Sequence, residues 1–291
     1  MKVAIVTDTN SGISPTLAEQ LGVKVVPMPF IIDDQEYFED VNLTQEQFYD
    51  KLLSGANVST SQPNIYSVVE IWEDLLKVCD EIVYIPMSSG LSNSCDTAIN
   101  FAKQFDGRVQ VVDNKRISVT QKQSVIDAVN MARDGMSAQQ IKQKLMDASM
   151  NASIYIMVST LTYLKKGGRI TPAAAAIGTL LKIKPVLTIQ GAKLDKCGQV
   201  MTLAQAKRKM LDQMTKDLDT RFADLVKDGK FKIFMAYTYD KDKCLEFKAE
   251  AESVLSKYNL EVEFVDPLSL SVSCHIGPGA IAIAGCEYYK D

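Results

Sequence analysis

The chain has 291 residues, about two domains at the usual ~100–200 residues each. Hydrophobic residues make up 46% and charged residues 23%, the balance of a globular protein that can bury a core and still line an apolar cavity. With 32 basic against 36 acidic residues the net charge is -4. That argues against nucleic acid as the main ligand, which needs a basic surplus, while leaving room for a local basic patch.

The six cysteines form no C-x-x-C pair and His275 is the single histidine, so neither a zinc site nor a His-rich metal centre is expected. No metal and no cofactor are called for. The opening Met1–Asp8 reads as a strand without a signal-peptide core. No run approaches the ~18 apolar residues that span a bilayer. A cytoplasmic protein with no stable membrane insertion is the expectation.

In chain order, Val3–Thr7 is a β-branched strand that runs into the loop Asp8-Thr9-Asn10-Ser11-Gly12. A short helix follows Ser14-Pro15, which can cap and start it. Val23–Ile32 reads as one strand, bent or at an edge because of Pro27 and Pro29. Helical spacing covers Thr44–Leu53 and Ile65–Val78, then a strand Glu81–Pro86, a polar loop, a helix through Phe101 and a strand Val109–Val112. Helices over Ser118–Arg133 and Ala138–Met150 complete a first half of βαβ grammar.

The second half reads differently. Ile154–Ser159 is a strand, a helix ends near Lys165–Gly168, and Thr171-Pro172 begins a small-residue helix Ala173–Leu181. Pro185–Gln190 and Gln199–Leu203 form a hairpin, and one long helix covers Ala204–Val226. Strand Lys232–Thr238, helix Lys243–Tyr258, strand Glu261–Val265 and an apolar run Ala280–Gly285 follow. The fold class is α/β in two domains: residues 1–150 with a mostly parallel doubly wound sheet, and residues 151–291 with a mixed or antiparallel sheet and helices on one side.

Three hydroxyl-rich segments carry the candidate chemistry. Ser59-Thr60-Ser61-Gln62-Pro63 precedes a helix and reads equally as a cap or as part of a site. Ser88-Ser89-Gly90-Leu91-Ser92-Asn93-Ser94 follows a strand at the carboxyl edge of the parallel sheet, where amides at the helix start, hydroxyls and Gly90 suit an oxyanion. Neither a P-loop nor G-x-G-x-x-G is present, so a nucleotide is not the obvious anion. Cys274-His275-Ile276-Gly277-Pro278-Gly279 holds the histidine on a turn that permits close backbone approach. A lone histidine is commonly structural, and here it can also donate to an anion or a hydroxyl. Arg169, beside a helix start, can pair with an acid or orient His275 and a ligand from behind.

Together, Thr60-Ser61-Gln62-Pro63, Ser88-Ser89-Gly90-Leu91-Ser92, Gly168-Arg169-Ile170, Lys184-Pro185-Val186-Leu187 and His275-Ile276-Gly277-Pro278-Gly279 resemble the DegV family of bacterial fatty-acid-binding proteins, as does Thr7-Asp8-Thr9-Asn10-Ser11. The matches keep the family's order from residue 3 to about residue 285. The resemblance implies one long-chain fatty acid buried between the two domains. Its carboxylate would be held by Thr60 and Ser92, with Ser61, Ser89, Gly90, Arg169 and His275 as the supporting polar network. It also implies a non-catalytic binding subunit, which in some members presents the acid to a separate fatty acid kinase.

The chain departs from the family pattern at Asn93, where a glycine commonly follows the serine, and at Ser94-Cys95-Asp96. Met201 stands where many members carry an arginine associated with kinase docking, and Lys207-Arg208-Lys209 nearby offers a substitute or a solvated face. Two other functions stay open. One is a hydrolase or phosphotransferase acting on a small acyl or phosphate ester, with His275 as base beside Ser92 and Asp8, although no G-x-S-x-G occurs. The other is a carrier of a different apolar anion, such as a bile-acid-like or isoprenoid acid.

Overall fold

In the computed structural model, residues 2–177, 183–190 and 193–290 are described. β1 (Val3–Asp8) leads to α1 (Pro15–Leu21) and β2 (Val23–Val26). Ser14 caps α1, Pro15 occupies its first turn, and Gly22 closes it at φ 70°. The chain then leaves this sheet for β3 (Pro29–Ile32), β4 (Gln35–Phe38), α2 (Gln45–Leu53) and β5 (Val58–Thr60). It returns through α3 (Ile65–Leu75), β6 (Glu81–Ile85), α4 (Ser94–Ala102), β7 (Val109–Val111), α5 (Ser118–Arg133) and α6 (Ala138–Asp147).

Strands β2-β1-β6-β7 form a parallel four-stranded sheet. Ile5, Val83 and Ile85 face α1, α5 and α6, while Val6, Ile82 and Tyr84 face Val68 and Trp72 of α3 and Ala98 of α4. The alternation that marks these runs as buried strands therefore makes the sheet doubly wound, as expected.

The single strand expected over Val23–Ile32 is two strands in two sheets. Pro27 has no N–H to continue the β2 ladder, and the chain turns there. β3 then pairs antiparallel with β4 and β5 in a separate sheet of order β4-β3-β5. Neither β4 nor β5 is evident from sequence, because both are short and largely exposed on one face. Phe30, Ile32, Phe48 and Leu52 form the core of this lobe.

The second half comprises β8 (Ala152–Met157), α7 (Thr162–Gly167), α8 (Pro172–Ala175), β9 (Lys184–Ile189), β10 (Asp195–Val200), α9 (Leu203–Asp219), α10 (Ala223–Lys227), β11 (Phe231–Tyr237), α11 (Lys241–Leu255), β12 (Val262–Pro267), α12 (Leu270–Ile276) and β13 (Ile281–Glu287). Six strands in the order β10-β9-β8-β13-β11-β12 pair antiparallel, except β11 with β12.

Three expectations change here. The helix over 204–226 is two helices, since the backbone leaves helical geometry at Thr220 (φ -126°, ψ -81°). α12 replaces the loop expected around His275 and is capped by Ser269. The helix expected over Ala173–Leu181 is helical at Pro172–Ala175, and its residues 178–181 lie outside the described residues.

α9 and α11 cover one face of this sheet, with Met210, Met214 and Phe247 on Ile233, Ile281 and Ile283. The opposite face carries Ile154, Ile156, Leu187, Phe234, Ala236, Ala282 and Ala284. Along β13 large side chains point to the helices and small ones point away, so the second face has a shallow trough. α5 lies between this face and the parallel sheet, which explains why Thr120, Gln121, Gln123, Ser124 and Asp127 are buried on a helix with little apolar surface.

Two cationic side chains lock the arrangement. Lys122 Nζ meets Asp266 Oδ2 at 2.7 Å. Arg116, only 2% exposed, donates to Ser124 Oγ (3.1 Å), the Glu287 carbonyl (3.3 Å) and the Ala148 carbonyl (3.0 Å), joining α5 to the end of α6 and to β13. Arg116→Met removes three charge-assisted bonds, although the Ala148 carbonyl and Ser124 Oγ keep donors in the Asn151 amide and Asn114, and a loss of about 3 kcal/mol is expected in urea unfolding. A variant as stable as the parent would show that these bonds contribute nothing net.

Candidate functional site

A cavity of about 560 Å3 opens between the inner face of the six-stranded sheet and the carboxyl edge of the parallel sheet. It is within the ~300–1,000 Å3 range of small-molecule sites. Thr60, Ser61, Ser89, Gly90, Ser92, Arg169 and His275, the seven residues singled out from sequence, all line it. They reach it from four segments of the chain, and they do unequal jobs.

Thr60 ends β5, and β5 packs against α12, which carries His275. Thr60 Oγ1 lies 2.9 Å from His275 Nε2. The imidazole is wedged from the other side by α7: a Cβ on Gly167 would stand 2.1 Å from His275 Nδ1, so only glycine fits there. Gly277, at φ 76°, lies flat on the Tyr163 ring, where a Cβ would approach to 2.4 Å. The close approach expected of the Gly-Pro-Gly turn is thus made against α7. Burial and then the positive charge of Arg169 push the His275 pKa down to about 4. The ring is neutral at pH 7.

The Ser88–Ser94 loop differs from the expected nest of free amides. Most of its N–H groups are already used: Ser89 donates to Asp113 Oδ1, Gly90 to Ser88 Oγ, Leu91 and Ser92 to the Ser88 carbonyl, and Ser94 to Ser92 Oγ. The Ser89 hydroxyl donates to Asp113 Oδ2 (2.7 Å), and Lys115 bonds both. Burial works to raise the Asp113 carboxyl, but bonds from Lys115 and Ser89 outweigh it and hold the group below its ordinary value. Ser89 and Gly90 therefore shape the wall, and Ser92 is the loop's hydroxyl beside the cavity, 2.9 Å from Ser94 Oγ. Asn93 starts α4 with no side-chain cap of its own.

Arg169 donates from Nε to the Leu91 carbonyl at 3.2 Å and from Nη1 to the Gly167 carbonyl. It ties the serine loop to α7 from behind, which is the orienting role rather than a direct acid pair. Ser61 is exposed, with only a long contact to the Gln62 carbonyl. The apolar walls are Ile154, Ile156 and Ile189 of the sheet, Ala236 and Ala282 in its trough, and Leu164, Leu268 and Val272.

Asp8 sits where a doubly wound sheet usually binds ligands, between β1 and β6, and its own carboxyl fills that crevice. It accepts N–H bonds from Asn10 (3.0 Å), Met87 (2.9 Å) and Gln121 (3.1 Å), and burial raises its pKa to about 6. Asp8 does not line the cavity and His275 bonds Thr60 rather than Ser92, so the Ser92–His275–Asp8 constellation is not assembled. Among the described residues no group of three or more His, Cys, Asp or Glu could hold a metal, and no helix is long and apolar enough to cross a membrane.

Sequence reasoning missed Glu39, which accepts the Leu270 amide (2.8 Å) at the start of α12 and a Gln45 bond (2.6 Å). Burial raises its pKa to about 7. It also missed Ser118 and Ser271 in the cavity wall. Of the basic trio after Met201, Lys207 is buried against Glu250 (2.9 Å), so only Arg208 and Lys209 are left near the 57% exposed Met201.

The chain matches the family described as uncharacterised protein, DegV family, over residues 2–287. A DegV domain-containing protein of Staphylococcus aureus (strain N315) is 29% identical over 283 residues, covering 97% of this chain and 98% of that protein. Among solved structures, a DegV family protein from Thermus thermophilus described by its fatty acid binding is 27% identical at TM-score 0.87, covering 99% of this chain and 100% of that one. A stearic acid-binding protein from Eubacterium ventriosum is 26% identical at TM-score 0.87, over 99% and 98%.

As the single histidine, His275 gives an unambiguous NMR signal. Its imidazole is expected to stay neutral at pH 7 and to titrate with a midpoint near pH 4. Because the unfolded ring binds its proton near 6.5, its contribution to stability is full above that pH and is lost as the pH falls from 6.5 towards 4. A midpoint at or above 6.5 would contradict the buried geometry.

Proposed function

The chain belongs to the DegV family, and on that premise we propose that it holds one long-chain fatty acid in this cavity, with the carboxylate on Thr60 and Ser92, and presents it to a separate fatty acid kinase. The acid lies between two α/β domains, residues 1–150 and 151–291. What carries the reading is that hydroxyls from two distant segments line one cavity that an apolar sheet face also walls. Relatives of the same fold that bind fatty acids support it.

Burying each methylene contributes about 0.8 kcal/mol, so a chain of roughly fourteen to sixteen contributes on the order of 11–13 kcal/mol before ordering costs. The head group then needs only fixing and compensation for lost water. With the proton on Nε2, neutral His275 donates to Thr60 Oγ1 and frees the Thr60 O–H to donate to the carboxylate. Arg169 gives its Nε and an Nη1 proton to the Leu91 and Gly167 carbonyls, which positions the serine loop rather than clamping the acid.

A carboxylate held by neutral donors keeps its nucleophilicity. On the kinase, one of its oxygens attacks the γ-phosphorus of ATP, an acyl phosphate forms and ADP leaves. This chain contributes binding and presentation, and the kinase supplies the ATP site. Arg208 and Lys209, which follow Met201 in the chain, are the cations left to face such a partner.

Native mass spectrometry of the purified protein is expected to show one bound long-chain acid. Thr60→Ala and Ser92→Ala are each expected to weaken binding by about 1–3 kcal/mol, and unchanged affinity in the double variant would remove the head-group assignment. Ala282→Phe fills the trough and is expected to reduce affinity for long acids far more than for eight- or ten-carbon acids. An equal effect on both would show that the tail does not run there. ATP turnover by the cognate kinase is expected only with acid-loaded protein, and turnover indifferent to its presence would reject the partnership.

A further inference from the structure

The fatty-acid reading leaves the start of α5 unused. Ile117, Ser118 and Val119 all line the cavity. Ile117 stands at the cap position and has no side chain that can cap. The first-turn amides of Ser118, Val119 and Thr120 have no intrahelical acceptor by construction, and no other acceptor among the described residues. The Ser118 hydroxyl is equally without a partner among the described residues, although the residue is only 7% exposed. Its φ of 55° is a left-handed conformation that non-glycine residues adopt at a cost. Such strain collects where a ligand uses it.

The position of this helix end identifies what it can take. Ile117 and Val119 belong to the apolar cluster of Ile154, Ile156, Ala236 and Ala282, so the donors lie along the wall for the tail. The next turn already holds a carboxylate, since Gln121 bonds Asp8 Oδ1, and Lys122 is committed to Asp266. A second full negative charge is therefore poorly matched, whereas a neutral oxygen accepts from the amides and Ser118 without repulsion. An unsubstituted hydrocarbon would leave these donors buried and unpaired.

We propose that the N-terminus of α5 with Ser118 is a second polar subsite, and that the ligand class of this cavity includes long-chain acids bearing a hydroxyl or carbonyl oxygen on the chain. The proposal rests on the fatty-acid reading. The test is displacement of a fluorescent fatty acid from the full chain by palmitate and by a series of monohydroxy-hexadecanoic acids with the hydroxyl moved stepwise along the chain. One position, or two adjacent ones, is expected to bind about 3–10-fold tighter than palmitate. That ratio is expected to fall to within about twofold in both Ser118→Ala and Ser118→Gly, the glycine variant also relieving the backbone strain. Palmitate binding with no positional preference, or a preference that survives in both variants, overturns the subsite alone. Failure of palmitate itself to displace the probe overturns the fatty-acid reading and the subsite with it.

Discussion

The hydrogen bond between Thr60 and His275 joins a strand of the small antiparallel sheet to a helix more than two hundred residues later in the chain. The ring that makes it is neutral at pH 7, because a charged imidazolium this deep beside Arg169 is opposed by desolvation and by like charge. Gly167 lets α7 close over the ring, Gly277 lets the following turn lie on Tyr163, and Glu39 holds the first amide of α12. These contacts hold the Thr60 hydroxyl at the cavity.

The rest of the polar wall follows the same economy. Most of the formal charges and backbone amides of the polar wall, which bind anions most tightly, are used by the protein itself: Asp113 and Ser88 take the amides of the serine loop, Asp8 closes the crevice of the parallel sheet, and Arg169 holds two carbonyls, while exposed Lys193 also lines the cavity. What remains for a ligand is mainly hydroxyl. A site of this kind derives its affinity from the apolar wall and uses its polar groups for orientation, so the trough made by Ala236 and Ala282 matters as much as Thr60 and Ser92. The start of α5 is the exception, where donors are left open beside the apolar wall.

The strands of the parallel sheet and the helix Ser118–Arg133 were legible because their signals are local: a buried β-branched run, or a sixteen-residue helix. Strands β4 and β5 were not, because their stability comes from pairing with β3 and from Phe30 and Phe48 beneath them. α12 was hidden for a related reason: its seven residues are held by Ser269, Glu39 and packing on α7 and β5. The break at Thr220 likewise interrupts a pattern whose apolar spacing runs on past it.

Composition and residue order alone determined the α/β class, the alternating first half, the hairpin in the second, and which hydroxyl segments deserved suspicion, since these depend on periodicity and turn chemistry within a few residues. Only the tertiary structure decided that Thr60 bonds His275, that Ser89 serves Asp113 while Ser92 stays beside the cavity, and that Asp8 stands apart from both. Those outcomes depend on which side chains meet across sheets and helices far apart in the chain. Local preference is silent on that, because the energy that selects one such meeting over another exists only once the core has closed.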